Sequence, residues 1–323
     1  MIFEKRVLGA YRGMIYSRCD DTGDVYYFSH EDFFGLEAER ISFRARAGHT
    51  LRGYIYSYGA PIKDRLVVFD HGFGGGHRSY MKEIELLCRH GYTVLSYDHT
   101  GCMESEGEGA GGLSQSLSDL NDCLDFIKGE KRFYGYDISV MGHSWGGFST
   151  MNICAYHPEV SRVVVLSGFI SVERQIATFF AGLMKPYRKA VFAEEKRTNP
   201  IFSLSDGIKA LSDTETRALL IYSDNDNLCT KRQQYDPLLE VLGRRENVKL
   251  VLVSGKGHNP NYTKDAVEYK DAFFAELKKR RKRGLLKTDE EKREFVKSYD
   301  WDRMTAQDED VWATVFEFLD AEK

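Results

Sequence analysis

The sequence predicts an α/β fold built on a mostly parallel sheet, and three observations carry that reading. Four short apolar runs, Leu66–Phe69, Tyr92–Tyr97, Ile138–Met141 and Val163–Leu166, lack period-two alternation. Strands that are apolar on both faces are buried on both faces, as in parallel sheets covered by helices. The intervals between them, residues 79–90, 114–128 and 145–157, have room for helices, so strand and helix alternate with right-handed crossovers. Two further runs, Ala218–Tyr222 and Lys249–Val253, extend the series, with a helix expected near 231–242 between them.

Ahead of this series, Ile41–Arg46 and Leu51–Tyr56 alternate around Gly48-His49-Thr50 and read as an antiparallel opening hairpin, which brings the sheet to eight strands. Residues 1–39 contain β-prone pieces such as Asp24–Phe28 and are expected to extend the sheet edge. Two intervals break the rhythm. One is the long stretch between Leu166 and Ala218, and the other runs from 260 to 304, before a last helix placed near 306–321. The whole chain, 1–323, reads as one domain with helices on both faces of the sheet.

Composition bounds the partners. The chain is 42% hydrophobic and 29% charged, which supplies a large core and excludes the disordered class. A formal net charge of -4 gives no chain-wide positive field, so nucleic acid is not expected as a partner. The six cysteines include no C-x-x-C pair, which points away from a metal site and toward a reducing compartment. The Met1–Arg6 start does not resemble a signal peptide, and no long apolar run suggests stable membrane insertion, so a cytoplasmic location is expected.

Gly142-His143-Ser144-Trp145-Gly146 fits G-x-S-x-G, and its flanks read as a strand before and a helix after. That context lifts a serine hydroxyl above the sheet, while glycines clear the space around it. His71-Gly72-Phe73-Gly74-Gly75-Gly76 follows an earlier strand, and its backbone can approach a substrate; the amides of Phe73 and Trp145 are assigned as the two oxyanion donors. A phosphate loop is the rival reading, but G-x-x-x-x-G-K-[ST] is absent. A serine at its ordinary pKa needs a base, and the base needs a carboxylate to fix its tautomer. His258 follows the last core strand and so emerges at the same sheet edge as Ser144. Asp224 and Asp226 both follow the strand Ala218–Tyr222; Asp224, nearer the strand, suits a turn cap, and Asp226 is preferred as the orienting acid.

Taken together, His71-Gly72 with Tyr80, Asp98-His99-Thr100-Gly101 with Ser105 and Gly107, the 142–147 elbow, Asp226 and Gly257-His258 resemble the α/β-hydrolase superfamily. Within it the likeness is to the branch of monoglyceride lipases and serine-aminopeptidase-like esterases, over 40–259 and again from about 305. The resemblance implies a catalytic triad of Ser144, Asp226 and His258, and oxyanion amides on Phe73 and Trp145. It also implies a helical cap inserted after the sixth strand, at 169–216. Met103 stands where relatives commonly carry glycine, and the stretch after His258 is longer than usual.

The chemistry so implied is cleavage of a small carboxylic ester, with uncharged acyl or aryl esters expected to be preferred over charged peptides, through an acyl-enzyme on Ser144, with no cofactor and no metal. An acyltransferase or an amide or peptide hydrolase would use the same residues, and a non-catalytic binding protein on this fold would lack one of them. In the cap, apolar residues from Ile176 to Phe192 recur at spacings of three and four and read as an amphipathic helix. Phe179, Phe180 and Met184 are its candidate substrate contacts. In 260–304, Ala266, Tyr269, Phe273 and Leu277 share a helical face, Gly284 ends that helix, and Thr288 with Glu291 starts another. The run Lys278–Arg283 reads as a solvated helix end, and the insertion is expected to overhang the pocket or to make a subunit contact in a homo-oligomer.

Overall fold

The computed structural model describes residues 2–59, 61, 62 and 64–322. Its sheet has eight strands: β1 (Leu36–Arg44), β2 (Thr50–Tyr58), β3 (Arg65–Asp70), β4 (Thr93–Tyr97), β5 (Asp137–His143), β6 (Arg162–Leu166), β7 (Arg217–Ser223) and β8 (Val248–Val253). Their order across the sheet is β1-β2-β4-β3-β5-β6-β7-β8. Only β2 runs against the others, pairing antiparallel with both β1 and β4. The remaining pairs are parallel, as the doubly apolar runs require.

The helices are α1 (Ile2–Ile15), α2 (Met81–Arg89), α3 (Gln115–Gly129), α4 (Trp145–Asn152), α5 (Val172–Phe179), α6 (Arg188–Thr198) and α7 (Gly207–Ser212). After β7 come α8 (Tyr235–Leu242), α9 (Lys264–Lys282), α10 (Asp289–Lys297), α11 (Trp301–Met304) and α12 (Glu309–Asp320). Alternate residues of the central strands feed two cores. Leu66, Val140, Val165 and Leu220 pack with Leu117 of α3 and Phe148 of α4. Val67, Met141, Val164 and Ile221 pack on the other face with Ile84 of α2 and Val315 of α12. None of the described helices is long and apolar enough to cross a membrane.

The N-terminal segment departs from its expected role as a sheet-edge extension. Residues 2–15 form α1, whose Val7, Tyr11 and Ile15, spaced four apart, are buried in the first core. Asp24–Phe28 makes no strand. Val25 packs on the small core formed by Phe273, Leu277, Phe295 and Met304 of the later insertion, and Tyr26 lies against Trp301. These side chains found apolar partners away from the sheet, which is the usual way context overrides β propensity.

The segment 169–216, expected as a helical cap, also differs from a single amphipathic helix. Gly182, at φ +56°, and Pro186 interrupt it, giving α5, a 3₁₀ stretch at Gly182–Tyr187, and α6. Glu195 of α6 is buried and accepts hydrogen bonds from Tyr11 Oη (2.6 Å), Tyr16 Oη (3.2 Å) and the Leu113 amide (3.0 Å). Burial pushes its carboxyl above the usual range despite these donors. This residue therefore fastens α1 and the cap to the loop that leads into α3.

In the later insertion, Thr263 caps α9, Gly284 at φ +72° follows it, and Thr288 and Glu291 form a reciprocal capping box at α10. Within the basic run, Lys279 and Arg280 pair along the helix with Glu276, whereas Arg281 turns to Asp24 of the N-terminal segment. The Glu195 contact gives a stability test. Tyr11→Phe removes one donor from a buried carboxylate and is expected to cost about 1–3 kcal/mol in urea unfolding; a change within error would show that the contact does not anchor α1.

Candidate active site

The turn from β5 into α4 places Ser144 at φ +56° and ψ −109°, a conformation that non-glycine residues rarely hold. It is held there by the Ser144 amide donating to the Leu166 carbonyl (2.9 Å) and by the first helical bond, from the Phe148 amide to the Ser144 carbonyl (3.0 Å). Glycine flanks it for a steric reason. A Cβ on Gly142 would lie 2.3 Å from the Gly146 carbonyl oxygen, and one on Gly146 would lie 2.0 Å from the Asp70 carbonyl oxygen.

Ser144 Oγ lies 2.8 Å from His258 Nε2, and His258 Nδ1 lies 2.8 Å from Asp226 Oδ2. Because the carboxylate can only accept, Nδ1 carries the proton and Nε2 is free to accept from the serine. The Asp226 carboxylate is fully buried; its other oxygen accepts from the amides of Leu228 (2.8 Å) and Cys229 (2.9 Å). Burial works against its charge, yet the His258 contact and these amides hold it below the usual carboxylate range. Asp224 instead accepts from Ser254 Oγ and the Gly255 amide, closing the turn before His258.

A second line of hydrogen bonds runs behind the first. The Gly72 amide donates to Tyr80 Oη (3.1 Å), Tyr80 lies 2.8 Å from His143 Nδ1, and His143 Nε2 lies 2.7 Å from the His258 carbonyl oxygen. These contacts are mutually consistent if Tyr80 donates to Nδ1 and Nε2 carries the imidazole proton. Burial pushes His143 down to about 3, so it is neutral. The glycine-rich loop, the elbow and the His258 loop are thus tied to one another. Sequence reasoning noticed Tyr80 and His143 only as motif positions; nothing in a one-dimensional spacing reveals a contact across 63 residues.

Beneath the site, the His99 amide donates to His71 Nε2 (2.9 Å), and His71 Nδ1 donates to the Gly72 carbonyl (2.8 Å). The His99 ring lies 3.3 Å from both Asp70 and Asp119, which raise its pKa against burial. This buried charged layer was not anticipated either. Met103, in place of glycine, sits at φ +41°, so the loop keeps a backbone that favours glycine.

Ser144 and His258 open into a cavity of about 590 Å³. Phe73 and Trp145 both line it, their rings 5.1 Å apart in an edge-to-face pair. Of the three cap candidates only Phe179 reaches the cavity. Phe180, just past the end of α5, is buried against Tyr11, and Met184, in the 3₁₀ stretch that follows, packs on the first core. Further lining comes from Tyr26–Phe28 of the N-terminal segment and from Lys270, Phe274, Leu277 and Trp301 of the later insertion, among others.

A family model described as serine aminopeptidase, S33 matches residues 61–249. Among curated proteins, a dipeptidyl peptidase family member 6 of Caenorhabditis elegans is 22% identical over 221 residues, 64% of this chain; the chain spans only 30% of that relative's length. An esterase of Pyrococcus furiosus superposes with a TM-score of 0.59 at 20% identity, covering 88% of this chain and 98% of that one. An acetyl xylan esterase from Paenibacillus sp. R4 gives 0.56 at 15% identity, covering 86% and 93%. At these identities the structures establish the shared fold.

The neutral His143 yields a pH test. Its folded pKa is depressed from 6.5 to about 3, so the unfolded chain binds the extra proton between those values. The resulting stability is present above pH 6.5 and is lost as pH falls toward 3. His143→Gln is expected to flatten the fall of unfolding free energy between pH 6 and 4 by ~1.4 kcal/mol per pH unit. Parallel curves for the two proteins would show that His143 is already charged when folded.

Proposed function

Because the chain belongs to the serine aminopeptidase S33 family of α/β hydrolases, we propose that it cleaves a small carboxylic ester through an acyl-enzyme on Ser144. His258 is the general base and Asp226 the carboxylate that orients it. The observation that carries this reading is the unbroken line from Asp226 through His258 to Ser144 Oγ, each contact 2.8 Å, ending in an aromatic-walled cavity.

Attack begins as Ser144 Oγ adds to the ester carbonyl while His258 Nε2 takes its proton. The negative charge that develops on the carbonyl oxygen meets the amides of Phe73 and Trp145, the second at the N-terminus of α4. Asp226 stabilises the imidazolium without itself taking the proton. His258 then protonates the departing alcohol. Water, deprotonated by the same imidazole, adds to the acyl-enzyme and releases the acid, restoring Ser144. The strained serine backbone supports this role, since it lifts Oγ clear of the sheet edge.

The aromatic residues around the cavity favour an acyl or aryl ester. A second reading, cleavage of an amide or peptide bond, is favoured by the description of the matching family and by the peptidase relative. A panel of 4-nitrophenyl esters of graded length beside aminoacyl 4-nitroanilides separates the two: faster ester turnover is expected, and faster anilide turnover would overturn the ester assignment. Ser144→Ala is expected to abolish both turnover and fluorophosphonate labelling in a protein that still unfolds cooperatively. Asp226→Asn should cost about 10⁴ in kcat, whereas Asp224→Asn should leave kcat within a few-fold of the parent. The opposite ranking of the two aspartates would reassign the acid.

A further inference from the structure

One face of α9 looks into the cavity: Lys270, Phe274, Leu277 and Arg281, at helical spacings of four, three and four, all line it. The charges on the cavity wall are unevenly matched. Asp24 is paired with Arg281, and Asp20 with Arg18. Lys270 and Arg78, by contrast, belong to no ion pair among the described residues. Arg78 donates only to the carbonyls of Tyr27 (2.9 Å) and Phe28 (3.2 Å). Lys270 Nζ donates to Asn259 Oδ1 (2.9 Å) and sits 5.2 Å from the centre of the Tyr262 ring.

Lys270 is the more telling of the two. Asn259 directly follows His258, Lys270 lines the same cavity as Ser144 and His258, and its charge adds to the burial that depresses His143. Glu83 and Asp271 act on it through space, but neither forms an ion pair with it among the described residues. Glu83 is itself buried, accepts from Asn261 Nδ2 (3.0 Å), and is pushed by burial toward its neutral form; Asp271 is the next residue along the helix. Burial lowers the Lys270 pKa, while the carboxylates of Glu83 and Asp271 act to raise it. An ammonium group uses three donors, and the single acceptor recorded for it here is an uncharged amide.

We propose that Lys270 is an anion-recognising element of the cavity, and that the ester this site takes carries a carboxylate on the part that faces α9. The proposal rests on the ester-hydrolase reading and adds the charge of the substrate to it. A carboxylate supplies the missing charge-assisted acceptor, and Arg78 adds a field of the same sign at the cavity rim.

Two measurements separate this subsite from the hydrolysis itself. The first compares kcat/KM for 4-nitrophenyl hemiglutarate with that for 4-nitrophenyl pentanoate, which has the same acyl length and no charge. The acidic ester is expected to win by about tenfold or more. Lys270→Met should cut that ratio by a similar factor, and Lys270→Arg should largely keep it. A ratio near one in the parent, or a ratio that Lys270→Met leaves unchanged, would overturn the proposal; Lys270 would then only brace Asn259. The second uses calorimetry on the Ser144→Ala protein with methyl hydrogen glutarate and methyl pentanoate. Tighter binding of the acid, lost when Lys270→Met is added, supports the subsite even if neither nitrophenyl ester is cleaved, in which case the ester reading alone fails. Equal binding of the two probes would overturn the subsite whatever the kinetics.

Discussion

The backbone at Ser144 is where the sheet, the helices and the glycine-rich loops have to agree, because a serine at φ +56° holds about 1–3 kcal/mol of strain that its surroundings must offset. The offset comes from close packing. Gly142 and Gly146 let β5, α4 and the Asp70 carbonyl approach to distances that any Cβ would forbid. The two cores grip β5 from both sides through Val140 and Met141. Once that turn is fixed, the loop after β8 brings His258 to Oγ and the loop after β7 brings Asp226 to His258.

The second hydrogen-bonded line, from Gly72 through Tyr80 and His143 to the His258 carbonyl, explains how separate loops keep that geometry. It fixes the His258 backbone through its carbonyl, while the imidazole is held separately by Asp226 and Ser144. Neutrality of His143 matters here: a charged ring could not accept from Tyr80, and the line would break at its centre. Around this frame the chain adds three segments that are not part of the sheet. The N-terminal segment, the cap and the insertion after His258 all converge on one cavity, and they are joined by the Glu195 cluster and the Asp24 to Arg281 pair.

Where the sequence was legible, the physics was local. Doubly apolar strands such as Val163–Leu166 can only be buried on both faces, and a G-x-S-x-G between a strand and a helix admits few backbones. Thr288 and Glu291 fixed a helix start from four residues alone. Where it was not, the deciding contact lay far along the chain. Asp24–Phe28 has the composition of a strand, but Phe273 and Trp301, about 250 and 275 residues later, pack against Val25 and Tyr26 instead of a sheet edge. The helical period of Val7, Tyr11 and Ile15 was present and would have located α1. The stripe from Ile176 to Phe192 does not mark where α5 ends, at Phe179, nor the 3₁₀ stretch holding Gly182 and Pro186, and these breaks place Phe180 and Met184 away from the cavity.

The claim on which the whole account turns is that the serine in the strained turn becomes acylated and that water then releases it. Intact-mass spectrometry of the protein, quenched in acid within milliseconds of mixing with 4-nitrophenyl acetate and followed by peptide mapping, measures this directly. A single acetyl adduct on the peptide containing Ser144, forming as fast as the 4-nitrophenol burst and decaying at the steady-state rate, is the expected result. Turnover of the ester with no adduct at any time, or with an adduct on a residue other than Ser144, would contradict the account.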